Sequence, residues 1–171
     1  EIVIEKEGKD ILIGFNPKFM IDALRGVIPL HKAMEKSTWP RYLGEEMAGK
    51  TVGLLGFGAI AREVARKLAG FDVKIKAYDL FPNEEAAKKL GVEMVSQDEI
   101  IETCDIVSLH APATAENHHL FNAETFARMK DGAFLINAAR GALVDLDALA
   151  TAMQSGKIAG AALDAFEVEP L

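Results

Sequence analysis

"GLLGFGAIAREVA" runs from Gly53 to Ala65 and decides how the rest of the chain is read. The apolar run "TVGLL" (51–55) has the continuous hydrophobicity of a strand covered on both faces. A turn with glycines at Gly56 and Gly58 and a small residue at Ala61 follows, and an amphipathic helix begins inside it. Each small residue has its own task. Gly56 permits a tight turn, Gly58 lets a ligand approach bare backbone, and Ala61 lets the helix pack close to the strand. Free N–H groups at Gly58, Ala59 and Ile60, at the positive end of the helix dipole, suit a diphosphate.

Outward from this turn the punctuation is regular. The first helix is expected to bury Ile60, Ala61, Val64, Ala65 and Leu68, with Arg62, Glu63, Arg66 and Lys67 facing water. "VKIKAY" (73–78) reads as a second strand ending at Asp79, and "VEMV", "DIVSLH" (105–110), "AFLIN" (133–137) and "IAGAALDAF" (158–166) as four more. Helices fall between them, capped by Asn83, by a Ser96/Glu99 capping box, by Asn122 and by Asp147. Strands alternating with helices at this spacing predict a doubly wound α/β domain with a parallel sheet, a Rossmann-type fold, over 51–171. Residues 26–50 read as a helix near Leu30 to Lys36 plus a connection, and residues 1–25 as an antiparallel β-β-α appendage.

Composition narrows the functional classes. The 171 residues carry 19 basic and 26 acidic side chains, a net charge of −7, which disfavours nucleic acid and anionic lipid as partners. No apolar run reaches membrane-spanning length, and a single cysteine, Cys104, agrees with a reducing, cytoplasmic setting. Cys104 is expected to be a small buried hydrophobe. No metal site is expected: the adjacent His118 and His119 lack the i,i+4 spacing of a helical pair and read as a loop face.

Asp79 stands 23 residues after Gly56, at the end of the second strand, where a carboxylate suits a ribose diol. Like charge there opposes a 2′-phosphate, so the reading is NAD rather than NADP. An adenosyl-sulfonium methyltransferase also uses a glycine turn and an acidic residue after its second strand, and a purely structural turn is the bland alternative.

The second half of the chain bears on that choice. "LHAPAT" (109–114), "NAARGALVD" (137–145) and "LDAFEVEP" (163–170) resemble, in order, the NAD-binding domain of the D-isomer-specific 2-hydroxyacid dehydrogenases, over residues 25–171. The resemblance implies hydride transfer between NAD and a 2-hydroxy or 2-keto acid. It implies that Arg140 grips the substrate carboxylate, that Asp164 lies beside the nicotinamide carboxamide, and that Glu169 pairs with a catalytic histidine. His110, Ala111 and Pro112, with Ala138, would wall the cofactor. The chemistry suits these types, because a planar arginine fork fixes a carboxylate and a carboxylate-supported histidine takes a hydroxyl proton. The bland alternatives are a surface arginine after a strand for Arg140, a solvated tail residue for Glu169, a loop cap for Asp164 and a satisfied strand-end histidine for His110. The family's histidine lies downstream of the glutamate, and none of His31, His110, His118 or His119 matches it, so cofactor binding is expected to survive better than turnover.

The stretch "EIVIEKEGKDILIGFNPKFMIDAL" at the start resembles a segment of bacterial DNA polymerase sliding clamps, densest around "IGFNPKFMIDAL", and implies a chimera joined near Leu24 to Gly26. Ile2, Ile4, Ile11, Ile13 and Phe15 would present an apolar face that patches the cofactor domain or forms a homodimer. The rival function is therefore a non-enzymatic chimeric or structural protein.

Overall fold

In a computed structural model that describes residues 31, 33–38 and 46–168, the chain folds around one six-stranded sheet. In chain order the elements are β1 (Thr51–Leu55), α1 (Ala59–Leu68), β2 (Lys74–Tyr78), α2 (Glu84–Leu90), β3 (Glu93–Met94) and α3 (Gln97–Thr103). There follow β4 (Ile106–Leu109), α4 (Ala123–Arg128), β5 (Ala133–Asn137), a 3₁₀ turn (Gly141–Leu143), α5 (Leu146–Gln154) and β6 (Ile158–Leu163). The strand order is β3-β2-β1-β4-β5-β6 and every pairing is parallel. The doubly wound architecture read from the alternation of strands and helices is thus the one observed. The chain winds outward from β1 to β3, then crosses back to β4, so β1 and β4 flank a topological switch point.

Two apolar layers hold the sheet, and the period of two along each strand sorts residues between them. Val52 and Leu54 of β1, Ile106 of β4, and Phe134 and Ile136 of β5 face one side. There they meet Ala61, Val64, Ala65 and Leu68 of α1 and Ala87 of α2. Leu55, Val107, Leu109 and Leu135 face the other, against Ile100 and Ile101 of α3, Phe126 of α4, and Leu149 and Ala152 of α5. Because both faces are covered, these strands are continuously apolar rather than alternating. Met47, just upstream of β1, adds its side chain to the first layer.

The helix starts follow their caps. Asn83 accepts the N–H of Ala86, Ser96 that of Glu99, and Asn122 those of Glu124 and Thr125. The Glu99 side chain binds the Lys76 ammonium at 2.6 Å, across to β2. Gly91 ends α2 in the left-handed conformation. Residues 31 and 33–35 are helical, as read for the connection.

Three expectations need correction. Asp145, not Asp147, caps α5: its carboxylate accepts the N–H groups of Asp147 and Ala148, because the 3₁₀ turn brings the chain into the helix two residues earlier. Strand β6 stops at Leu163 rather than Phe166, where its neighbour β5 ends. Ile60 is 39% exposed instead of joining the buried face of α1. It belongs to the start of α1, where Gly58 and Ala59 are exposed as well. The β-β-α appendage read for residues 1–25 lies outside the described residues, as does Glu169.

Candidate functional site

Register places the candidate residues along one edge. Leu55 pairs with Tyr78 on one side and Leu109 on the other, Leu109 with Asn137, and Asn137 with Leu163. The five strand ends therefore form one row, and the residues just after them line the carboxyl edge of the sheet. In spatial order these are Asp79, Gly56, His110, Ala138 and Asp164. From the first to the last the row crosses four strand spacings, about 19 Å. Such a row suits an extended ligand lying across the switch point.

The two glycines of the turn answer to different neighbours. Gly56 has φ +98, and a Cβ there would sit 2.8 Å from the carbonyl carbon of His110 and 2.9 Å from the Ala111 nitrogen. It is therefore glycine because the β4 end packs on it. Gly58 has an ordinary negative φ of −71, and a Cβ there would meet nothing within 4 Å. The fold leaves that space open in front of the α1 N-terminus, where no side chain caps the helix. By helix geometry the first N–H groups of α1 lack intrahelical acceptors, so Gly58, Ala59 and Ile60 present donors to that space. Ala61 is wholly buried between helix and sheet, as expected.

Asp79 closes the other side of the turn. Its Oδ2 accepts the Phe57 N–H at 2.6 Å and its Oδ1 the Phe81 N–H at 2.9 Å. A carboxylate offers about four lone-pair positions, so each oxygen keeps capacity for a sugar hydroxyl.

At the end of β4, the His110 N–H donates to Leu55 O at 2.7 Å, and its Nε2 lies 3.0 Å from Ser108 Oγ. Burial pushes its imidazole down to about 4, so it is neutral at pH 7. His110 is therefore a neutral, hydrogen-bonded side chain at the end of β4 rather than a cation. The loop after it is held by Asn117, whose side chain donates to Pro112 O at 2.8 Å and accepts the Thr114 N–H at 2.7 Å.

Arg140 and Asp164 are organised by Asn137, a buried side chain at the end of β5 that sequence reasoning did not single out. Its Nδ2 donates to Arg140 O at 2.9 Å, its Oδ1 accepts the Ala139 N–H at 3.1 Å, and its backbone carbonyl accepts the Asp164 N–H at 2.9 Å. The Arg140 side chain is exposed, with Nη1 donating to Ala139 O at 2.7 Å. Asp164 is exposed as well. The available signal was a polar residue ending an otherwise apolar strand.

Past Asp164 the chain runs directly over the 3₁₀ turn. A Cβ on Gly141 would lie 2.0 Å from the Phe166 carbonyl carbon and 2.2 Å from the Glu167 nitrogen, so only glycine fits under this segment. The route delivers Glu167 to the two histidines: Oε1 lies 2.8 Å from His118 Nε2 and Oε2 2.9 Å from His119 Nε2. The pair is in a loop, as read, but it is not a bare solvated face. His119, followed by His118, holds the Glu167 carboxyl below the usual carboxylate range. Cys104 is buried and unpaired, with burial pushing its thiol up to about 11, the inert behaviour expected of it.

Sheet order, open glycine turn and acidic second-strand end together define a dinucleotide-binding domain of the Rossmann type. Residues 18–171 match the family described as D-isomer specific 2-hydroxyacid dehydrogenase, NAD binding domain. The chain belongs to that family, and the cofactor its fold accommodates is NAD. This sets aside the methyltransferase alternative. A D-3-phosphoglycerate dehydrogenase of Bacillus subtilis is 44% identical over 154 residues, covering 88% of this chain and 29% of that protein. The crystal structure of a D-lactate dehydrogenase from Treponema pallidum superposes with a TM-score of 0.80 at 41% identity, covering 88% of this chain and 46% of that one. A D-lactate dehydrogenase with NAD+ from Lactobacillus jensenii gives a TM-score of 0.81 at 32% identity, with the same shares. The chain thus spans less than half the length of these relatives. The family match begins at residue 18, inside the stretch read from sequence as clamp-like, and no comparison shows the clamp reading.

Proposed function

We propose that the chain is the cofactor half of an NAD-dependent oxidoreductase acting between a 2-hydroxy acid and its 2-keto acid. When bound, NAD supplies the acceptor for the hydride from C2. The chain's own groups do the positioning. N–H groups at residues 58–60 hold the diphosphate, the remaining lone pairs of Asp79 hold a ribose diol, and His110, Ala111, Pro112 and Ala138 wall the cofactor. Arg140 fixes the substrate carboxylate through its guanidinium fork, Asp164 orients the nicotinamide carboxamide, and Glu169 supports a base histidine that the family resemblance puts downstream.

The observation that carries this reading is the single row of strand ends, with open space above Gly58 near one end and Arg140 and Asp164 at the other. Residues 51–171 are read as the cofactor domain, and residues 1–25 as a clamp-like appendage that patches it or joins two copies into a homodimer. A buried, unpaired cysteine fits a reducing compartment, which supports a cytoplasmic setting. No helix among the described residues is long and apolar enough to cross a membrane.

Adding pyruvate or glyoxylate to the NADH-saturated chain, followed by nicotinamide fluorescence, tests the substrate end. Saturable quenching that Arg140→Gln abolishes is expected. Equal quenching in the variant would remove Arg140 from the substrate site.

A further inference from the structure

The dinucleotide reading leaves His118, His119 and Glu167 without a task. Their three ligand atoms lie within 4.8 Å of one another, a convergence the backbone has to arrange. Side chains of consecutive residues in extended chain point to opposite faces. Here His119 has φ +49, a left-handed conformation uncommon for a residue with a Cβ, and the two imidazoles stack at 3.9 Å with 24° between their planes. The His119 N–H donates to Ala142 O at 2.8 Å, which ties this bend to the 3₁₀ turn. The same turn, through the bare Gly141, admits the backbone that brings Glu167. Independent pieces of chain are thus fixed so that two Nε2 atoms face the two oxygens of one carboxylate.

We infer that His118, His119 and Glu167 form a binding site for a divalent transition-metal ion of the zinc class. Two imidazoles and one carboxylate are the ligand types of open zinc sites, and imidazole selects zinc, copper and nickel over magnesium and calcium. With ligands about 2.05 Å from a tetrahedral ion, neighbouring donor atoms stand about 3.3 Å apart. The 2.8 and 2.9 Å contacts need to open by only a few tenths of an ångström. The side chains are 50%, 33% and 39% exposed, so an ion has access and room for solvent as a further ligand. On binding, each neutral imidazole turns its Nε2 lone pair to the ion and carries its proton on Nδ1, while the carboxylate stays ionised. The ion ties the loop carrying His118 and His119 to the segment that follows Asp164.

Calorimetric titration of Zn²⁺ into the full 171-residue chain at neutral pH, without chelating buffer, tests this directly. One site with a Kd of about 10 μM or tighter is expected, displaced by Ni²⁺ or Cu²⁺ but not by excess Mg²⁺. His118→Asn, His119→Asn and Glu167→Gln should each weaken it at least ~10-fold, whereas His31→Asn should leave it unchanged. These side chains lie at the surface, so the variants should remain folded, as circular dichroism would check. Absence of saturable binding below millimolar zinc, or binding that survives His119→Asn combined with Glu167→Gln, overturns the assignment. NAD affinity, measured on the same samples, reports separately on the dinucleotide site.

Discussion

The carboxylate of Asp79 accepts the backbone N–H of Phe57 at 2.6 Å, so the residue that ends β2 also braces the glycine turn after β1. One side chain therefore braces the turn and, on the function proposed above, also selects the cofactor. Asp79→Ala is expected to weaken NAD binding about 10-fold, to narrow the preference over NADP, and to cost about 1–2 kcal/mol of stability through the stranded N–H groups. Paired calorimetric titrations with both nucleotides and a urea melt read all three. NADP binding as tightly as NAD in the unaltered chain would show that Asp79 does not discriminate.

Gly141 and Phe166 make a second prediction. A methyl group cannot be accommodated 2.0 Å from a backbone carbonyl carbon, so Gly141→Ala must lift the segment beyond Asp164 or shift the 3₁₀ turn. A loss of about 1–3 kcal/mol is expected, as for overpacked interiors. The ring resonances of His118 and His119 should move as Glu167 withdraws. Unchanged stability and unchanged histidine spectra would contradict the close approach.

His110 predicts a pH response. Its folded-state pKa is about 4, below the unfolded value near 6.5, so between these the unfolded chain binds the extra proton. The His110 contribution is flat above pH 6.5, and stability falls as pH drops from 6.5 toward 4, by at most about 3 kcal/mol. Asp105 and Glu167, whose pKa values are lowered, add their own losses only as pH falls into the ordinary carboxylate range and below it. Urea melts at pH 7.0, 6.0 and 5.0 should show the slope, and His110→Gln should flatten it. An equal slope in the variant would assign it to another group.

The cap of α5 gives a check on local structure. Asp145→Ala should cost about 1 kcal/mol by freeing the N–H groups of Asp147 and Ala148. Asp147→Ala should cost much less, since no cap depends on it.

The fold was legible in the sequence because both of its periodicities are strong. Apolar strand runs, Asn and Ser caps, and the glycines at 56 and 58 all specify the same alternation. What escaped notice depended on local turns that no periodicity marks and on contacts distant in sequence. Asp145 rather than Asp147 caps α5 because the 3₁₀ turn sets the helix entry, and Ile60 is exposed together with Gly58 and Ala59 at the start of α1. Asn137 looks like the last residue of a strand until its side chain is seen holding Ala139 and Arg140 in place. Glu167 is 48 residues from His119, and no spacing rule connects them. Gly56 likewise reads as a turn residue, and Gly141 as one letter of a motif, whereas each is required by backbone arriving from elsewhere.

The central claim is that the space in front of α1 is kept open for the NAD diphosphate, and Gly58 tests it most directly. Its backbone is ordinary and a Cβ there touches no protein atom, so Gly58→Val should leave the fold intact and act on the ligand alone. In a calorimetric titration, the unaltered chain should bind one equivalent of NAD saturably and the variant should lose at least ~10-fold in affinity, about 1.4 kcal/mol. Equal affinity in a folded Gly58→Val chain, or no saturable heat at millimolar NAD in the unaltered one, would contradict it.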